Sequence, residues 1–365
     1  MRGPASLLLI AIAAIAGWFF FADYPFSRPL ANRPPSHSQN YGNTQVDQYG
    51  NPIGNPPGNY YGNSPMPSAS PGVNQRPNGG VAGSALNPVA GSRRVRIANY
   101  FPRDPRFVRV ASFNIEMLKR DKAASMPSMH MLATILAQFD IVAVQGVAVS
   151  ESYAVGQLVD VINSSGRHYE SVLGPRVGRD ADSMRQLAFV YDANRVEVDS
   201  KEVYTVEDPD DLLCWEPLVA WFRTRSANPN DAFTFTLVNV ETDPDEKERE
   251  NAILGSVFRE VRNDLRGEDD VILAGCFGMS SQQIDGLANA VPNSDWALSG
   301  TSPSNTQGTA QDDNVMSSHN FTDEATGRVG VFDFLRQLNL SLDNAENIST
   351  HLPVWAEFTM EEGGR

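Results

Sequence analysis

A histidine in a loop can hold or move a proton, and His351 stands in such a place. It lies in Ser349-Thr350-His351-Leu352-Pro353, just before the apolar, β-branched run Val354 to Phe358. That pattern reads as a loop feeding a final buried strand. The imidazole there is either a hydrogen-bonded structural group or a general base. Four upstream segments share the design: Val110–Ile115, Phe139–Val147, Thr236–Pro244 and Val271–Gly278. Each is a short apolar run that ends in a polar or small residue where a strand meets a loop. Asn114, Gln145, Glu241 and Cys276 fall at those ends, and Asp313-Asn314 precedes a further apolar step at Val315. Taken alone, Asn114 reads as a strand-end turn cap and Asp313 as a solvated loop carboxylate.

The elements that must position these groups alternate between the two periods. Strands are expected at Phe107–Asn114, Ile141–Val147, Tyr169–Leu173, Leu187–Tyr191, Val196–Thr205, Leu218–Arg223, Phe233–Val240, Val271–Ala274 and Val354–Thr359. Helical spacing marks Met129–Phe139, with Ser128 as its cap, and Tyr153–Asn163. It also marks a long charged helix over Asp245–Leu265, with Ile253, Leu254, Val257, Phe258, Val261 and Leu265 facing inward. Many strands interleaved with helices imply an α/β fold with two layers of sheet.

In order and spacing the segments resemble the endonuclease/exonuclease/phosphatase family, whose fold is that of deoxyribonuclease I, over roughly Arg106 to Phe358. The resemblance implies a four-layer sandwich of two mostly antiparallel β-sheets flanked by helices. It also implies phosphodiester hydrolysis with a divalent cation, Mg or Mn, held by carboxylates. On this pattern Asn114, Asp313, Asn314 and His351 keep family positions, His351 that of the base, with Asn114 and Asp313 as weak metal contacts at best.

Other positions depart from the family. The second strand normally ends Gln-Glu, the Glu binding metal, but here ends Gln145-Gly146. Asn-x-His becomes Asn239-Val240-Glu241, placing an anion where a phosphate contact is expected. Gly-Asp-Phe-Asn becomes Gly275-Cys276-Phe277-Gly278, and Ser-Asp-His becomes Ser349-Thr350-His351. Where Arg is common after Asp-Leu-Leu, the chain reads Cys214-Trp215. The losses at Gly146, Trp215, Glu241, Cys276, Gly278 and Thr350 leave the hydrophobic framework intact. The expectation is therefore a domain that keeps the fold, has lost nuclease chemistry, and binds or scaffolds. The competing expectation is an active metal-dependent phosphoesterase with an altered site.

Composition separates three regions. Ala5 to Ala22 is an uncharged run of eighteen apolar or small residues, ending near the aromatic cluster Trp18-Phe19-Phe20-Phe21. This suits a signal anchor spanning residues 1–22. Ala14-Ile15-Ala16 offers the alternative of a cleaved signal peptide and a secreted product. Arg2 alone precedes the run, which orients the globular part outward. Residues 23–92 hold 12 of the chain's 24 prolines, with repeated Asn, Gly, Ser and Tyr, and read as a flexible tether. Four arginines and two aspartates put the first 92 residues at +2; the chain totals −15, so residues 93–365 carry −17. Such a domain repels polyanions at long range. Extended nucleic acid is a poor default partner, and an unknown protein or a small phosphorylated ligand suits it better. Cys214 and Cys276 permit one disulfide or two separate thiols.

Overall fold

The computed structural model describes residues 96–363, apart from 181–182, 280–286, 288–289 and 300–301. The expected anchor over 1–22 and the tether over 23–92 lie outside the described residues. Among the described residues, no helix is long and apolar enough to cross a membrane.

Two six-stranded sheets face each other. In chain order the strands are β1 (Phe107–Leu118), β2 (Ile141–Ala148), β3 (Tyr169–Leu173), β4 (Arg185–Asp192), β5 (Val196–Thr205) and β6 (Leu218–Thr224). They continue with β7 (Thr234–Glu241), β8 (Val271–Cys276), β9 (Ser294–Trp296), β10 (Asp313–Ser318), β11 (Ala325–Val331) and β12 (Val354–Thr359). One sheet runs β11-β12-β1-β2-β4-β3 and the other β5-β6-β7-β8-β10-β9. Within each sheet the central pair, β1 with β2 and β7 with β8, is parallel, and the other pairings are antiparallel. Helices α1 (Arg120–Ala124), α2 (Met126–Leu136), α3 (Tyr153–Asn163) and α4 (Lys247–Arg262) flank them. This is the sandwich that the family resemblance implies.

Alternation along the strands builds two cores. Leu218, Ala220, Phe222, Phe235 and Leu237 point between the sheets, into the core that also takes the faces of α2 and α3. Val219, Val238, Val240 and Leu273 point the other way and meet Leu254, Val257, Phe258 and Val261 of α4. Period-two and period-3.6 patterns thus meet across one layer.

Three expectations about the helices need correction. Ser125, not Ser128, caps α2: its hydroxyl accepts the Ser128 N–H at 3.3 Å, and Ser128 lies inside the helix. The charged helix is shorter than the pattern suggests, ending at Arg262. Leu265 adopts φ 72 and is 98% exposed, so it does not face inward.

Just before β8, at the opposite end of that strand from Cys276, Asp270 is buried beside Glu324 and Glu362, with one oxygen from each within 4.8 Å of the others. Burial, then repulsion from Glu324 and Glu268, pushes the Asp270 carboxyl up to about 10. A group whose pKa rises on folding adds stability below its unfolded pKa and loses it as pH rises toward the folded value. Asp270→Asn is therefore expected to stabilise the protein by at least about 1 kcal/mol at pH 7, with no gain at pH 4. Urea denaturation at the two pH values checks this.

Candidate functional site

β1, β2, β7 and β8 end at the same edge of the sandwich, where their side chains turn from core to polar. Beneath that edge Gln145 Nε2 donates to Asn239 Oδ1 at 2.7 Å, and Asn239 Nδ2 donates to the Val144 and Ala188 carbonyls. These buried amides pin the two sheets together. Gln145 and Asn239 are thus structural here.

Above them opens a cavity of about 300 Å³, lined by Asn114, Arg185, Glu241, Cys276, Gly278 and His351, with Glu116 and Lys247 at its wall. One residue beyond Val240 on the inner face of β7, Glu241 is 2% exposed. Its carboxylate accepts from Asn114 Nδ2 at 3.3 Å and from the Gly146 N–H at 3.2 Å. It also pairs with Arg185, whose guanidinium lies 3.7 Å over the Trp215 ring. Burial pushes the Glu241 carboxyl above the ordinary glutamate range, with Arg185 opposing. The shift is the mark of a charge held out of water.

Gly146 sits where β1 bulges. Glu116 and Met117 have φ of 48 and 51, and the β1–β2 register shifts between Asn114 and Leu118. Asn114 Oδ1 accepts the Glu116 N–H at 2.8 Å, and Lys122 Nζ donates to the Ile115, Glu116 and Ile348 carbonyls, fixing the bulge. Gly146 has φ +76, and a Cβ there would lie 2.8 Å from Asn114 Oδ1 and 2.9 Å from the Met117 nitrogen. No side chain fits on this backbone.

On the opposite wall, β10 pairs with β8 so that Asp313 lies directly across from Cys276. His351 hangs from the loop before β12, its N–H donating to Ser349 Oγ at 3.0 Å while Ser349 Oγ donates to the Asn114 carbonyl at 2.7 Å. His351 Nδ1 bonds Asp313 Oδ2 at 2.8 Å, so the imidazole has a carboxylate partner although Thr350 precedes it. Burial opposes the charged form, but Asp313 holds the imidazole pKa well above its ordinary value. Cys276 Sγ lies 3.9 Å from the same nitrogen, and burial pushes its thiol up to about 11.

The structure thus brings Asn114, Glu241, Cys276, Gly278 and His351 to one cavity, with Asp313 fully buried behind the histidine. Asn314 points the other way: it accepts the Leu298 N–H and donates to the Leu298 carbonyl, both at 2.9 Å. Trp215 reaches the site only through Arg185. The Thr350 N–H donates to Glu116 Oε2 at 2.9 Å. Cys214 and Cys276 are both free thiols. Arg185, Glu116 and Lys247 carry no motif of their own in the sequence. A buried Glu241 demands a counter-ion, and that demand was the signal that could have found Arg185.

Acidic groups are at hand for a divalent cation, but a hard ion needs carboxylate oxygens that are not already committed. Both oxygens of Glu241 are engaged by Asn114, Gly146 and Arg185. Position 146 offers only an N–H. This corner does not fit Mg or Mn as the resemblance would place them, because a guanidinium already supplies the positive charge.

No protein-family model matches the chain. Human deoxyribonuclease-1-like 1 is 27% identical over 263 residues, which cover 70% of this chain and 85% of the relative. Rat deoxyribonuclease gamma is 26% identical over 268 residues, covering 70% and 84%. Among solved structures, a humanized D. rerio TDP2 matches with a TM-score of 0.50 at 12% identity, over 69% of this chain and 98% of that one. The last likeness speaks for the fold alone.

Proposed function

For a chain that belongs to the endonuclease/exonuclease/phosphatase family, with the deoxyribonuclease I-like fold, we propose a role without the family's Mg- or Mn-dependent hydrolysis. The domain acts as a binding or scaffolding module, held at a membrane by residues 1–22 and displayed outward on the tether of residues 23–92. The observation that carries this reading is the Arg185–Glu241 pair over a Gly146 that has no room for a side chain. The cavity mixes Arg185, Lys247 and His351 with Glu116, Glu241 and Asp312. Such a lining suits a small phosphorylated ligand or a protein side chain better than a long polyanion.

A second reading, an active phosphoesterase with a rebuilt site, draws on the His351–Asp313 bond, since an oriented imidazole is what a general base requires. The two are separated by incubating the full chain with supercoiled plasmid and a generic phosphodiester, with Mg or Mn against chelator. No cleavage above the His351→Ala variant is the expected result. Metal-dependent cleavage that disappears in His351→Ala would favour the enzyme. It should then climb as pH rises above neutrality, because Asp313 keeps His351 protonated at lower pH.

A further inference from the structure

Beside the corner that rejects a hard cation lies a donor set of another character. Cys276, Asp313 and His351 each offer one ligand atom, and the three atoms lie within 4.8 Å of one another. A thiol and an imidazole are donors for a borderline-soft metal rather than for Mg. We propose that Cys276, Asp313 and His351 form a three-ligand site for zinc or a similar divalent ion, with its fourth coordination position open to the cavity.

The geometry needs little adjustment. Tetrahedral zinc with ordinary bond lengths sets nitrogen and oxygen ligands about 3.3 Å apart, and sulfur and nitrogen about 3.5 Å apart. Here Nδ1 and Oδ2 are 2.8 Å apart and Sγ and Nδ1 are 3.9 Å apart, so each pair moves by about half an ångström. The ion would take the place of the proton now between Nδ1 and Oδ2. On binding, the thiol proton and the Nδ1 proton pass to solvent, and the imidazole keeps its proton on Nε2.

A separate observation also points to a ligand. Asp313 is 0% exposed, yet its Oδ1 has no hydrogen-bond partner. A buried carboxylate with one bare oxygen is short of positive partners, and a metal ion at this carboxylate offsets the charge that both oxygens share. The framework is already rigid. Asp313 and Cys276 are register partners on β10 and β8, and Asn305 bridges the backbone of His351. Ser304 Oγ donates to Asp313 Oδ2 at 3.3 Å while accepting the Asp312 and Asp313 N–H groups. Partners of this kind orient a metal's ligands. Cys276 and His351 line the cavity, which gives the ion a path in and leaves one position for water or an anionic ligand.

The site stands independently of whether phosphodiesters are cut, and its test reads metal ligation directly. Full chain without a polyhistidine tag, stripped by chelator and kept reduced, is titrated with cobalt(II). The expected result is a near-ultraviolet thiolate-to-cobalt band, with intense visible bands of a four-coordinate ion, saturating at one equivalent and bleached by zinc. Cys276→Ser removes the thiolate band and Cys214→Ser retains it. His351→Asn weakens cobalt binding at least about tenfold. Zinc raises the melting temperature of the natural protein and leaves that of Cys276→Ser unmoved. The absence of a thiolate band at millimolar cobalt, or a band that survives Cys276→Ser, overturns the proposal. Should Cys276→Ser fail to fold, unaltered cobalt binding by His351→Asn overturns it equally.

Discussion

Replacing Arg185 with alanine is expected to cost about 3–5 kcal/mol of folding free energy. The variant leaves the Glu241 carboxylate, 2% exposed, with only Asn114 and the Gly146 N–H as partners. A buried charge stripped of its counter-ion is among the few causes of so large an effect. The loss of the guanidinium from the Trp215 face adds a smaller amount. The cost should shrink as pH falls, because burial already lifts the Glu241 carboxyl above its ordinary range and protonation then relieves the charge. Arg185→Met combined with Glu241→Gln should recover most of the lost stability, since neither charge is then stranded. Urea denaturation of the two variants checks both statements. A loss below about 1 kcal/mol in Arg185→Ala would mean that the pair is solvated and closes nothing.

Restoring the family glutamate by Gly146→Glu is expected to destabilise the protein by about 2–4 kcal/mol rather than rebuild a metal site. The Cβ meets Asn114 Oδ1 at 2.8 Å and the backbone nitrogens of Met117 and Glu116 at 2.9 and 3.0 Å. The φ of +76 adds strain for any side chain. Relief requires the β1 bulge to move, but Lys122 holds two carbonyls of that bulge and ties them to the Ile348 carbonyl. A second carboxylate would also arrive beside Glu241. Denaturation midpoints, with Mn present and absent, read the outcome. A variant as stable as the natural chain and further stabilised by Mn would show that the corner can still open.

The framework was legible because apolar runs mark buried strands whatever the chemistry at their ends. Tyr153–Asn163, Tyr169–Leu173 and Val354–Thr359 match the structure at both bounds. β11 is hidden in the sequence because Thr326, Gly327 and Arg328 interrupt its apolar pattern, and β9 is only three residues long. The end of α4 misled for a local reason: periodicity carries on to Leu265 after the backbone has left the helix.

For the site, Asn114 stands out at a strand end, Asp313 by its likeness to the family's Asp-Asn step before a late strand, and His351 in the loop before the last strand. Three things could not be read from them. The apolar run of β4 begins only at Leu187, so Arg185 falls outside the pattern of the strand that aims it. The Gly146 conformation depends on a bulge in a different strand. The partnership of His351 with Asp313 spans 38 residues and exists only once β10 and the loop before β12 come together. Thr350 seemed to deprive the histidine of its carboxylate, and tertiary structure supplies one from elsewhere.

A guanidinium, not a hard metal ion, balances Glu241. The most direct measurement titrates Mn(II) into the full chain and follows the electron paramagnetic resonance signal of the free ion. Natural protein and Glu241→Gln are expected to deplete that signal to the same small extent. A stoichiometric Mn site in the natural protein that vanishes in Glu241→Gln would contradict it.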